Sequence, residues 1–332
     1  MRKVGSLTCL AGAGLILAAA SFAGSAKASE GGASLYVLGT GGPGAAVLPP
    51  VSGVFLVNTA YYYKGSAGAE RAFQVGGQVV AGVEATIAAD FATVLSVPEG
   101  KILGATPAVG LIVPFGQPWV RVDATLTGPG GNTLSLSRGD TNFIIGDPVI
   151  MAALGWTRGK THVQVANLLN VPVGEYRSGR GQLANLAFHR WANDLSVAVT
   201  WLDPQAGWDL SAKTGVTFNG TNPATQYRTG TEWHVEASVE KKFSPTWSMG
   251  VQGYYFDQLT GDSGSGNRVG AFKGRVLGVG GHAAYNFKIM GKIPATLRLH
   301  GIKEFEARNR LEGHSIFLDF SMPLYVPNAP AA

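Results

Sequence analysis

The stretch Trp233-His234-Val235-Glu236-Ala237-Ser238-Val239-Glu240-Lys241-Lys242-Phe243 decides the fold. Its odd positions are apolar apart from Lys241, and its even positions, His234, Glu236, Ser238, Glu240 and Lys242, are all polar or charged. Successive side chains of a strand point to opposite faces, so this pattern predicts a β-strand with one greasy and one charged face. The alternation recurs along the chain. Leu210, Ala212, Val216 and Phe218 oppose Asp209, Ser211, Lys213 and Thr217, and Val120, Val122, Ala124 and Leu126 oppose Arg121, Asp123 and Thr125. Ala295, Leu297 and Leu299 oppose Thr296, Arg298 and His300, while Ile316, Leu318 and Phe320 oppose Ser315, Asp319 and Ser321.

These segments run to about 10–14 residues, longer than the soluble average of about 5–6 and enough for a tilted membrane strand. Apolar faces that end in aromatics, as at Trp233 and Phe243, Trp247 and Tyr255, or Tyr61 and Tyr63, predict the interfacial girdles of a membrane barrel. Composition agrees. Charged residues make up 14% of the chain while the apolar share stays at 45%; a disordered chain needs the opposite balance. The uncharged stretch 102–120 carries Pro107, Pro114 and Pro118, which excludes a spanning helix. The fold expected is therefore all-β, a transmembrane antiparallel barrel of the outer-membrane type.

The first 28 residues read as an export signal, with Arg2 and Lys3, an apolar run from Val4 to Ala20, and Ala26-Lys27-Ala28 as the cleavage motif. The single cysteine, Cys9, falls inside it, so the mature chain is expected to have no disulfide, thiol chemistry or Cys-ligated metal. Loss of Arg2, Lys3 and Lys27 also removes most of the net charge of +5, leaving no electrostatic case for a nucleic-acid partner. Domain organisation follows: signal 1–28, an N-terminal periplasmic or plug segment 29–52, a barrel 53–324 and a C-terminal tail 325–332.

Outer-membrane barrels alternate short periplasmic turns with longer outer loops. Short turns are read at 98–101, 158–160, 204–207, 244–245 and 288–294. Longer loops are read at 64–78, 128–146, 173–190, 220–231, 260–274 and 307–313. The intervals give twelve strands, at 53–63, 80–97, 102–127, 147–157, 161–172, 191–203, 208–219, 232–243, 246–259, 275–287, 295–306 and 314–324. Ten or fourteen strands are the alternatives, since 102–127 breaks naturally at Gly116-Gln117-Pro118.

Several short motifs sit on this frame: Gly146-Asp147, Pro172-Val173-Gly174-Glu175-Tyr176, Asn185 with Trp191, Trp208-Asp209-Leu210-Ser211-Ala212-Lys213, and Tyr227 through His234. Gly253-Tyr254-Tyr255 with Gln258 and Asp262, Lys303-Glu304-Phe305, Asn309-Arg310 and Glu312-Gly313 complete them. In this order they resemble the family of outer-membrane proteins of the meta pathway of phenol degradation. The resemblance implies an outer-membrane barrel and uptake of aromatic or other hydrophobic compounds.

The polar faces supply the lumen-lining candidates Arg121, Asp123, Asp209, Lys213, His234, Glu236, Arg298, His300 and Glu304. Residues 31–50, with Leu35, Tyr36, Val37 and Leu38 ahead of glycine-rich turns, are too broken for a wall strand yet apolar enough to want burial; they are read as a plug or as a free periplasmic extension. The function expected is passive transport of a small hydrophobic solute through a partly plugged lumen. Outer-membrane lipid and the barrel-assembly machinery are the other expected partners, and no cofactor or metal is called for. An anchoring barrel is one alternative. An outer-membrane lipase or protease is another, but the six histidines show no completed Ser–His or Asp–His constellation in sequence.

Overall fold

The computed structural model describes residues 32–327 apart from 76–77, 128–132, 180–181, 269 and 272. The proposed signal 1–28 and the end of the tail lie outside them. Strands run β1 Gly53–Val75, β2 Gln78–Val97, β3 Thr106–Thr127, β4 Thr133–Thr141, β5 Ile144–Ile145, β6 Val149–Arg158, β7 Thr161–Asn170, β8 Ala192–Asp203 and β9 Trp208–Asn219. They continue as β10 Thr221–Asn222, β11 Tyr227–Arg228, β12 Glu232–Lys242, β13 Trp247–Gln258, β14 Arg275–Ile289, β15 Ile293–Arg308 and β16 Glu312–Tyr325.

Twelve of these form the wall. Each pairs antiparallel with its neighbours, β3 meets β6, β9 meets β12, and β16 returns to β1 with Tyr62 opposite Ile316, so the sheet closes. Closure removes every free edge, which is the condition for a sheet to cross a bilayer. The strand 106–127 stays whole through Gly116, paired without a register shift from Val83–Val122 to Ser96–Val109. Chain entry at Gly53, exit at Tyr325 and the connections at 98–105, 159–160, 204–207, 243–246 and 290–292 share one end, here the turn end. The 159–160 turn places Gly159 first, at φ +60°, as a two-residue hairpin turn of that hand requires.

Burial is inverted relative to a soluble protein. On β8, Asp194, Ser196 and Thr200 are buried, whereas Leu195, Val197 and Val199 on the opposite face are exposed. Leu210, Val239, Met249, Val251, Leu299 and Leu318 extend the exposed apolar belt around the wall. Trp201, Trp208 and Trp247 rim it near the turn end, with Lys241 Nζ 4.7 Å from the Trp208 ring and Lys160 Nζ 5.9 Å from Trp201. An aromatic body with a cation above it suits a lipid headgroup boundary.

Two loop expectations are corrected. Residues 64–75 continue β1 rather than forming a loop, and β4 doubles back along β3 within 128–146. Past Ser66 the strand β1 has no β16 partner and pairs only with β2, so β1–β3 rise beyond the rest of the wall. Gly65, Gly68 and the adjacent Glu70-Arg71 interrupt the alternation where the pairing with β2 is irregular between Ala67 and Ala72, which is why the rise reads as a loop in sequence.

Candidate functional site

The interior is divided between a polar wall and an apolar one. The polar wall comes from β8, β9, β12, β13 and β15, whose inward positions include Asp194, Thr200, Asp209, Ser211, His234, Glu236, Gln252, His300 and Glu304, all buried. The segment 32–50 descends along it from the loop end to the turn end. Ser34 Oγ donates to Glu232 at 2.9 Å, the Gly39 and Gly41 amides each donate to Glu236 at 2.6 Å, the Gly44 amide to Ser211 at 3.1 Å and the Ala46 amide to Thr200 at 3.1 Å.

Glu236 thus satisfies two amides that have no sheet partner, which a buried backbone demands. Gly39 sits at φ +98°, and a Cβ on Gly41 would lie 2.6 Å from the Glu236 carboxylate, so both glycines are required by the turn that wraps this carboxylate. Tyr36 stacks on His234 with ring centroids 3.6 Å apart, and Lys213 Nζ stands 4.7 Å from the Tyr36 ring. Leu35, Tyr36 and Leu38 are buried, Leu38 in a cluster with Phe256, Ile302 and Phe317, and Val37 is partly buried against the same cluster. Arg298, partly buried, pairs with Glu240 at 3.4 Å, and His300 stacks on Phe317 at 4.2 Å while bonding Asp319.

Opposite the segment, β1, β2, β3, β6 and β7 turn apolar side chains inward. Between them and residues 32–40 lies a cavity of about 610 Å³ whose surface includes Tyr61, Ile87, Phe91, Leu95, Ile112 and Met151. Residues of 183–190 line its loop end, and its charged groups, Asp147, Arg190, Arg298, Glu304, Arg310 and Asp319, stand around the apolar part; Glu304 accepts from Tyr63 and Tyr254 at 2.8 Å each and from the Gly313 amide at 2.9 Å. Such a chamber, mostly apolar with a few fixed polar groups, is the ordinary form of a small-molecule site.

Arg121 and Asp123 are corrected. They share the outer face of β3 with the exposed Val109, Leu111 and Trp119, and their side chains are 61% and 49% exposed, paired at 3.3 Å. Val120, expected to face lipid, lines the cavity instead. Alternation separates two faces without saying which is inside, and on β3 the inner face is the apolar one. Tyr61 and Tyr63, expected in a girdle, are inward for the same reason. The sequence reading missed Arg190 as a cavity residue, because it lies in a loop where no periodicity assigns a direction.

Asp194 bonds His234 at 3.0 Å and accepts from Thr217 at 2.6 Å, while His234 Nδ1 has no partner. Among the described residues no hydroxyl is therefore aligned on that imidazole as a nucleophile would be. His189 stacks on Tyr176 at 5.0 Å. Among the described residues no three potential ligands gather as a metal site.

A family model described as "Putative MetA-pathway of phenol degradation" matches residues 69–320. No curated protein sequence matches the chain. Among solved structures, the COG4313 outer membrane channel from Pseudomonas putida F1 superposes with a TM-score of 0.63 at 16% identity, over 84% of this chain and 98% of that one. A FadL homologue from Pseudomonas aeruginosa gives a TM-score of 0.42 at 10% identity, over 89% and 96%. The first of these likenesses is one of fold: a barrel of the outer-membrane type.

Proposed function

The chain belongs to the MetA-pathway of phenol degradation family, and from that premise we propose that it is an outer-membrane channel for passive entry of small hydrophobic or aromatic compounds. The observation that carries this reading is the divided lumen. The segment 32–50 covers the charged wall with hydrogen bonds to Glu236, Ser211 and Thr200 and leaves open the apolar side, where the cavity lies. Along the stretch lined by Ile87, Phe91, Leu95, Ile112 and Met151 a hydrophilic solute would lose hydrogen bonds to water without replacement; an aromatic one would not.

In this reading the segment is a plug that narrows the barrel to its apolar half. The exposed belt around Val199, Val251 and Leu318 faces outer-membrane lipid. The turn end faces the periplasm and the barrel reaches its membrane through the assembly machinery after removal of 1–28. The name of the Pseudomonas putida structure, a channel, supports the same reading. The test is deletion of 32–50 with single-channel recording: a large rise in conductance is expected, and unchanged conductance overturns the plug. Protein-dependent growth on a panel of aromatic or hydrophobic carbon sources tests transport, and no difference across the panel would favour an anchoring barrel.

A further inference from the structure

We propose that the loop end of the cavity binds the carboxylate of a small aromatic acid, with Arg190 as its anchor; this rests on the channel reading and narrows its solute class. Arg190 lines the cavity and is 2% exposed. Its Nε donates to Asn219 at 3.1 Å and its guanidinium lies 4.9 Å from the Phe188 ring, but Nη2 is buried with no acceptor and the residue makes no ion pair among the described residues. A buried cation without a counter-ion is costly, and a charge-assisted bond to a carboxylate is the strongest way to satisfy it.

The acid built into this end does not serve Arg190. Asp147 is occupied by the Gly174 amide at 2.9 Å, the Phe188 and His189 amides at 2.8 and 2.9 Å, and Asn170 Nδ2 at 3.0 Å. Those bonds hold His189 at φ +52°, a backbone that a non-glycine residue adopts only when its surroundings impose it. Asn170 Nδ2 also donates to the Arg190 carbonyl at 2.8 Å. The backbone of Arg190 is thereby fixed, and its Nε bond to Asn219 orients the guanidinium. A second cation of the same cavity, Arg310, donates to Ser34 Oγ at 3.0 Å and lies 4.1 Å from the Phe256 ring, with no ion pair among the described residues. Apolar lining supplied by Leu183, Leu186 and Phe188 suits the ring that would carry the acid group.

Calorimetric titration of the purified, detergent-solubilised barrel with benzoate and its neutral isostere benzamide, at neutral pH, tests the site. Benzoate is expected to bind about ten-fold or more tighter, as a charge-assisted bond allows, and Arg190→Gln should bring it to the benzamide level while Arg190→Lys keeps part of the preference. Equal binding of the two, binding of neither, or an Arg190→Gln variant that binds benzoate like the parent would each overturn the proposal. If that variant does not fold, the benzoate–benzamide comparison on the parent protein decides alone. Protein-dependent entry of toluene into intact cells scores the channel reading separately: entry without benzoate preference sinks this inference only, and no entry sinks the channel.

Discussion

Replacing Glu236 with alanine removes the carboxylate that holds the amides of the turn at 39–41 against the wall and leaves the Gln252 Nε2 bond to the Gly39 carbonyl, 3.0 Å, in place. Two amides, Gly39 and Gly41, donate to its carboxylate at 2.6 Å each. A hydrogen bond to a charged group contributes about 1.5–3 kcal/mol, so the pair holds the turn by about 3–6 kcal/mol. That is roughly two to four powers of ten in the local opening equilibrium. The barrel should survive, because its ladder does not pass through this turn and the Ala46–Thr200 and Gly44–Ser211 bonds remain. Hydrogen exchange is the assay: protection of the Gly39 and Gly41 amides should fall by that factor while amides of β12 and β13 keep theirs. Single-channel conductance should rise in parallel as the turn leaves the wall. Glu236→Ala protein with parental exchange at both glycines would refute the argument that this carboxylate holds the segment.

Asp262 lies in the loop after β13, and burial pushes its carboxyl up to about 6, against hydrogen bonds from Tyr227, Gly230 and Gln258 that favour the ionised form. A folded-state value above the unfolded one of about 3.9 means that protonation stabilises the loop, so stability falls by about 3 kcal/mol as pH rises from about 4 to 6 and is level above that. Exchange of the Gly230 amide, corrected for its intrinsic rate, should quicken over that range and Asp262→Asn should abolish the trend; a flat profile in the parent contradicts it. In the wall, a Cβ on Gly280 would stand 1.8 Å from the Gly301 carbonyl, whereas one on Gly281 would meet nothing closer than 3.5 Å. Gly280→Ala should therefore lower the temperature at which the barrel unfolds on heating in detergent, and Gly281→Ala should leave it nearly unchanged; equal effects would show that close approach of β14 and β15 is not what fixes the glycine.

Legibility in the sequence tracked physical contrast between faces. Where one face is charged and the other aliphatic, as on β9 and β12, alternation placed the strand within a residue or two, and 208–219 coincides with Trp208–Asn219. The closed twelve-strand order followed from those strands and the turns between them. On β1–β3 the contrast reverses, since the lumen there is itself apolar, and Val120 and Tyr61 face inward while Arg121 and Asp123 face out. Only the pairing of β3 with β2 and β6 fixes that direction. The cavity's shape, and Arg190 within it, depend on how 183–190 folds over the barrel mouth, a long-range arrangement held by Asp140 and Asp147 accepting amides of the loop. No local pattern encodes such contacts.

In the proposed channel, solute passes through the apolar side of the lumen. Ile87 lies on β2 within the cavity lining, between Tyr63 and Pro118 in register, while Leu210 faces outward on β9. Protein-dependent entry of toluene into intact cells should be strongly reduced by Ile87→Trp, which fills the cavity, and preserved by Leu210→Trp, which adds bulk on the lipid side. Entry undiminished in a folded Ile87→Trp barrel would contradict the account.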